Sequence, residues 1–114
     1  MSLDVYISLP PCSHCGRGEE QVFEANITHN LGKMAMEAGI YYALWRPEER
    51  CYDRAGDILE VVRAGLADLK ARPAHFVQFD SPNGWGTYNN FVPWVERYLE
   101  MCEKNPKATI SVSR

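Results

Sequence analysis

The chain has 114 residues, 46% of them apolar and 24% charged, with 12 basic against 15 acidic side chains and a formal net charge of −3. That composition excludes a disordered, collagen-like or low-complexity chain, and no apolar run approaches the roughly 20 residues a membrane helix needs. Lys33, Arg46, Arg50, Arg54, Arg63, Lys70 and Arg72 are scattered near acidic residues, so no basic face speaks for nucleic acid. The length suits a single domain, residues 1–114, and Met1-Ser2-Leu3-Asp4 has no basic region ahead of an apolar stretch. The expectation is a cytoplasmic protein with no membrane partner.

Leu3, Val5, Ile7 and Leu9 alternate with Asp4, Tyr6 and Ser8, which predicts a half-buried strand ended by Pro10-Pro11. Cys12 to Gly18 reads as a tight turn, and Gln21 to Ile27 as a second strand with Phe23, Ala25 and Ile27 on one face, closing a hairpin. Thr28 or Asn30 is suited to cap a helix carrying Leu31, Met34, Ala35 and Ala38 and ended at Gly39. Tyr41 to Trp45 reads as a short helical turn, and residues 48–54 as a loop. Ala55, Ile58, Leu59, Val62, Leu66 and Leu69 follow helical spacing up to Arg72-Pro73, and one more turn opens at Pro73. Asp80 to Gly86 is a loop dense in turn formers. A last helix carries Phe91, Val92, Val95, Leu99 and Cys102 on one face, with Pro93 expected in its first turn. Ala108, Ile110 and Val112 alternate in a final strand, expected to pair with one of the first two. The fold class is α+β: a small antiparallel sheet, hairpin plus C-terminal strand, covered on one face by three or more helices.

Cys12-Ser13-His14-Cys15-Gly16 carries the most distinctive chemistry. Two thiolates three residues apart in a turn can face one cation, and the following glycine permits a knuckle's positive φ. A thioredoxin-type site would need a helix starting at the motif, which Gly16 and Gly18 oppose. Zinc is the expected cofactor, as a structural staple. One C-x-x-C supplies two of four ligands; His14, His29, Cys51, His75 and Cys102 are the candidates for the others, with Cys51 and His14 preferred. Cys102, on an apolar helical stripe, reads as core. The bland alternative is a tight turn with two free or oxidised thiols.

Two polar segments are candidates for ligand binding. Asn26, Thr28, His29 and Asn30 lie where a strand meets a helix, with capping as the plain reading of Thr28 and Asn30 and anion docking at the helix N-terminus as the functional one. Asn83, Trp85 and Tyr88 belong to a stretch in which Gly84 and Gly86 flank the tryptophan. Such an indole serves either as a plug on the core or as an exposed stacking platform. If the segments meet, His29, Trp85, Tyr88 and the asparagines line one polar-aromatic cleft. For catalysis only His29 and His75 are plausible bases, and no nucleophile elbow, H-E-x-x-H or phosphate-binding loop occurs.

Cys-Ser-His-Cys-Gly, Asn-Ile-Thr-His-Asn-Leu, Ala-Gly-Ile-Tyr-Tyr-Ala-Leu-Trp-Arg-Pro-Glu-Glu and Ser-Pro-Asn-Gly-Trp-Gly-Thr-Tyr, taken together, resemble a family of small uncharacterised phage, prophage and bacterial proteins, from Val5 to Val112. The resemblance implies a phage or bacterial cytoplasmic setting and an accessory factor that binds a host protein or a small polar host molecule. It transfers no catalytic or binding residue. The expectation is thus a non-enzymatic accessory or binding protein. Its rivals are a small metal- or His-dependent hydrolase or nucleotide-processing enzyme and, disfavoured by the acidic balance, a zinc-ribbon-like nucleic-acid binder.

Overall fold

The apolar alternation of the first strand sets the core. The computed structural model describes residues 2–9 and 20–114, and in it Leu3, Val5 and Ile7 of β1 (Ser2–Leu9) are fully buried. Beyond Ile7 the pattern breaks: Ser8 is buried and Leu9 only half-buried, beside a register shift at which Val22 of the second strand is left without a partner on β1. β2 (Glu20–Thr28) runs antiparallel to β1, with Leu3 opposite Ile27, Val5 opposite Ala25 and Ile7 opposite Phe23. β3 (Thr109–Ser113) pairs with the other side of β1, also antiparallel, placing Ile110 opposite Ile7. The sheet order is β2-β1-β3.

After β2 the chain makes one 3-10 turn, His29–Leu31, and enters α1 (Gly32–Glu37). Leu31, Met34, Ala35 and Ala38 are buried as the spacing requires, and Gly39 ends the helix at φ +79°. α2 (Tyr41–Trp45) buries Ala43, Leu44 and Trp45. A 3-10 turn, Pro47–Arg50, lies in the segment read as loop. α3 (Ala55–Ala71) starts where the Asp57 carboxylate accepts from the Asp53 and Arg54 N–H groups, 3.0 Å each, and these bonds hold Asp57 below the usual carboxylate range. Asp53 O in turn accepts from Ile110 N, so this entry also borders the sheet at β3. α4 (Pro73–Val77) is a single short turn.

α5 (Tyr88–Lys104) packs against α3 and reaches β2. It begins early enough that Pro93 is its sixth residue and not in the first turn. The missing N–H faces the carbonyl of exposed Asn89, where water can replace it. Phe91, Val95, Leu99 and Cys102 are buried, and so is Tyr98, which the apolar stripe does not include. Its ring stacks 6.1 Å from Phe23, but its hydroxyl is buried with no hydrogen-bond partner among the described residues, and burial holds its pKa well above the ordinary phenol value. Such an orphan costs about 1–3 kcal/mol, so Tyr98→Phe should raise stability by about 1 kcal/mol in urea denaturation. A loss of that size would mean the hydroxyl has a partner. Among the described residues no helix is long and apolar enough to cross a membrane.

Candidate functional site

The two polar segments meet at the β2–α1 junction. Together with Ser2, Ile27, Leu31 and Trp94 they line an open cleft of about 950 Å³. Asn26, Thr28, His29, Asn30, Asn83 and Trp85 of the sequence-derived set are all in its wall, as is Asn90. The volume lies within the range of small-molecule sites.

Gly86 makes the meeting close. It is buried at φ +105°, a conformation other residues rarely adopt, and its Cα faces the junction. A Cβ there would lie 3.0 Å from Thr28 Cγ2, 3.1 Å from Asn30 Cβ and 3.2 Å from Leu31 Cγ. Asn30 Nδ2 donates to Trp85 O at 2.8 Å, tying two residues 55 apart in sequence. Within the loop, Asn83 Oδ1 accepts from Trp85 N at 2.9 Å and from Ser81 Oγ at 2.6 Å, while Ser81 N donates to Gly86 O at 3.0 Å. The backbone of Trp85 is therefore held at both N–H and C=O, but the residue is 71% exposed. The plug reading does not hold, because the glycine, not the indole, is the group seated on the core.

Each of three asparagines has one end committed to the scaffold. Asn26 Nδ2 donates to Asp4 Oδ1 at 2.6 Å and Ser2 Oγ at 3.0 Å; a carboxylate only accepts, which fixes the amide's orientation. Asn30 is fixed likewise by the Trp85 carbonyl and Asn83 by the Trp85 N–H. Asn26 Oδ1, Asn30 Oδ1, Asn83 Nδ2 and the whole Asn90 amide have no partner among the described residues. His29 is set the same way. Buried Trp45 donates Nε1–H to His29 Nδ1 at 2.8 Å, and an indole can only donate, so the ring is the neutral tautomer with its proton on Nε2. Trp45 is steadied by Tyr41, stacked at 5.6 Å and 7°.

Thr28 caps the turn, its Oγ1 accepting from Asn30 N at 3.3 Å. That turn has three residues and α1 six, so the anticipated anion site has no helix of useful length behind it. Tyr88 is not brought to the cleft. Its hydroxyl donates to Leu69 O and its N–H to Asp80 Oδ1, both at 2.7 Å, fastening the loop to α3. Trp94 is the aromatic cleft residue that the motifs do not single out; its Nε1 donates to Asn26 O at 3.0 Å. Its helical phase, three residues after Phe91 and one before Val95, carries the only signal. His75 sits on α4 outside the cleft, its Nε2 3.3 Å from Glu37 Oε1.

Of the candidate zinc ligands, Cys12, His14 and Cys15 lie outside the described residues. Cys51 is exposed, at φ +59° after the Pro47–Arg50 turn. No three His, Cys, Asp or Glu side chains gather into a metal-binding group among the described residues. Cys102 is buried on α5, and burial, with Glu103 nearby, pushes its thiol up to about 12. In the native protein Cys51 should react with a maleimide within minutes and Cys102 only on unfolding. Protection of Cys51 together with Cys12 and Cys15 would instead place it on a metal. Because the folded thiol pKa is raised, the Cys102 contribution to stability is full below about 9 and is lost as pH rises toward about 12.

Compared with protein-family models, curated proteins and solved structures, the chain matches none of them. What the cleft can bind is set by its own side chains. It offers oriented amide donors and acceptors, one imidazole N–H and one open indole face. Among the described residues no Lys, Arg, Asp or Glu lines it.

Proposed function

We propose that the chain is a non-enzymatic binding domain that takes a small, uncharged polar ligand in this cleft. The observation that carries the reading is the set of scaffold-oriented amides around an exposed indole, in a wall with no charged side chain among the described residues. Amides fixed by their other end lose little side-chain entropy on binding, which is how a shallow polar site gains affinity. In the phage or bacterial setting that the motif resemblance implies, the ligand would be a host molecule and the protein an accessory factor.

The rival hydrolase finds less support. A general base needs a free lone pair near a substrate proton. The His29 lone pair, on Nδ1, accepts the Trp45 N–H, and its remaining nitrogen carries a proton. Among the described residues no carboxylate lines the cleft to orient a base or to share a metal.

The test is two-dimensional NMR of the whole chain against a panel of uncharged polar small molecules. Binding should move the Trp85 indole and the Asn30, Asn83 and Asn90 side-chain amides together. Trp85→Ala should weaken that binding about ten-fold, the scale of one aromatic stacking contact, while changing stability by less than about 0.5 kcal/mol. Shifts confined to other surfaces, or unchanged affinity in Trp85→Ala, would remove the cleft as the site.

A further inference from the structure

Resting on the cleft as the binding site, we infer that its ligand is an uncharged sugar ring of a glycan, seated with one face on Trp85 and its hydroxyls among the asparagines. Three observations select this class. The first is the single stacking surface. The Trp85 indole is exposed, pairs with no other aromatic ring among the described residues and faces open solvent. Trp94, the other indole of the wall, is occupied on α5, 5.6 Å from the Tyr98 ring, with its N–H on Asn26 O. One platform suits the apolar C–H face of a pyranose and also a single base, so it selects a flat-faced ligand and the two observations that follow choose between them.

The second is the pattern of unpartnered hydrogen-bonding atoms. Asn26 Oδ1 and Asn30 Oδ1 accept, whereas Asn83 Nδ2 and His29 Nε2–H donate. An asparagine reads a base edge by using both amide ends at once. Asn26 Nδ2 and Asn83 Oδ1 each make two bonds to the protein, which forbids that mode to both residues. Asn30 Nδ2 has one N–H on the Trp85 carbonyl, so among these amides Asn90 alone keeps both ends free of the described residues. A sugar hydroxyl donates and accepts at the same time, so a ring bearing several can meet single donors and single acceptors in any order.

The third is charge. Among the described residues no cation lines the cleft to hold a phosphate or a uronate, and no carboxylate lines it to hold an amine. A volume of about 950 Å³ also exceeds one pyranose, which fits a short oligosaccharide better than a free monosaccharide.

The experiment is calorimetric and NMR titration of the full chain with maltose, cellobiose, lactose and N,N′-diacetylchitobiose, with adenosine and guanosine, and with glucose 6-phosphate. At least one disaccharide should bind, shift the Trp85 indole and lose about ten-fold in affinity in Trp85→Ala. Trp85→Phe, which keeps a ring face, should recover part of the loss. Asn90→Ala, which removes an amide with no scaffold bond, should weaken binding without lowering the melting temperature. Glucose 6-phosphate should bind no more tightly than the neutral sugars. Binding of a nucleoside at Trp85 with every sugar silent would overturn the sugar assignment and leave the cleft reading standing. Silence of every neutral compound would overturn both.

Discussion

Gly86→Ala should lower stability by about 2–4 kcal/mol and the melting temperature on the order of 10 °C, and should abolish ligand binding in the cleft. Two costs combine. The backbone sits at φ +105°, where an L side chain is strained, and the new methyl would press on Thr28, Asn30 and Leu31 at 3.0–3.2 Å. Lifting the loop to relieve the clash breaks the Asn30–Trp85 bond and separates the two walls. Gly84 supplies the control. It has φ +77°, but a methyl added there would meet nothing within 4 Å, so Gly84→Ala should cost only the left-handed preference, about 1 kcal/mol. Thermal denaturation of the pair decides the matter. Equal, small losses would mean that the loop is not seated on the junction.

The second large effect belongs to the core behind the site. Gly65 is buried in the middle of α3, where an exposed helical glycine would gain about 1 kcal/mol on replacement by alanine. Here the methyl would land on Ile40 Cγ2 and stand 3.0 Å from Ala38 O. Ile40 is fully buried and follows the Gly39 turn, so it has no free direction in which to move. Gly65→Ala should therefore destabilise by about 2 kcal/mol or more despite the better helix propensity. Ile40→Ala removes the obstructing methyl. In a double-mutant cycle the two substitutions together should cost clearly less than the sum of each alone. Additive losses would show that the helix and the Ile40 segment do not press on one another.

Most of the secondary structure is legible in the sequence because it depends on near neighbours. The alternation of Leu3, Val5 and Ile7 and the helical spacing from Ala55 to Leu69 report which face of each element meets the core. Gly39 marks its helix end through a conformation that it adopts more cheaply than any other residue. Thr28 is readable as a cap for the same local reason. The exceptions mark where local patterns meet a longer-range constraint. Ser8 and Leu9 depart from the alternation where the pairing with β2 slips by one residue and leaves Val22 unpaired. Tyr98 is polar enough for a surface, yet its ring fills the space beside Phe23 and carries its hydroxyl inside.

The candidate site divides along the same line. Residue chemistry alone marks Asn26, Thr28, His29, Asn30, Asn83 and Trp85 as worth attention, since amides and an indole between glycines are unusual at a strand end and in a loop. Their convergence is decided by the tertiary structure, which brings residues 55 apart within a hydrogen bond. So is the exclusion of Tyr88, whose hydroxyl finds the Leu69 carbonyl first, and the inclusion of Trp94, placed by the packing of α5 on β2. The tautomer of His29 and the orientation of each asparagine are beyond any sequence pattern. Composition determines which groups can donate or accept; only the partner that each meets in the fold determines which end is left for a ligand.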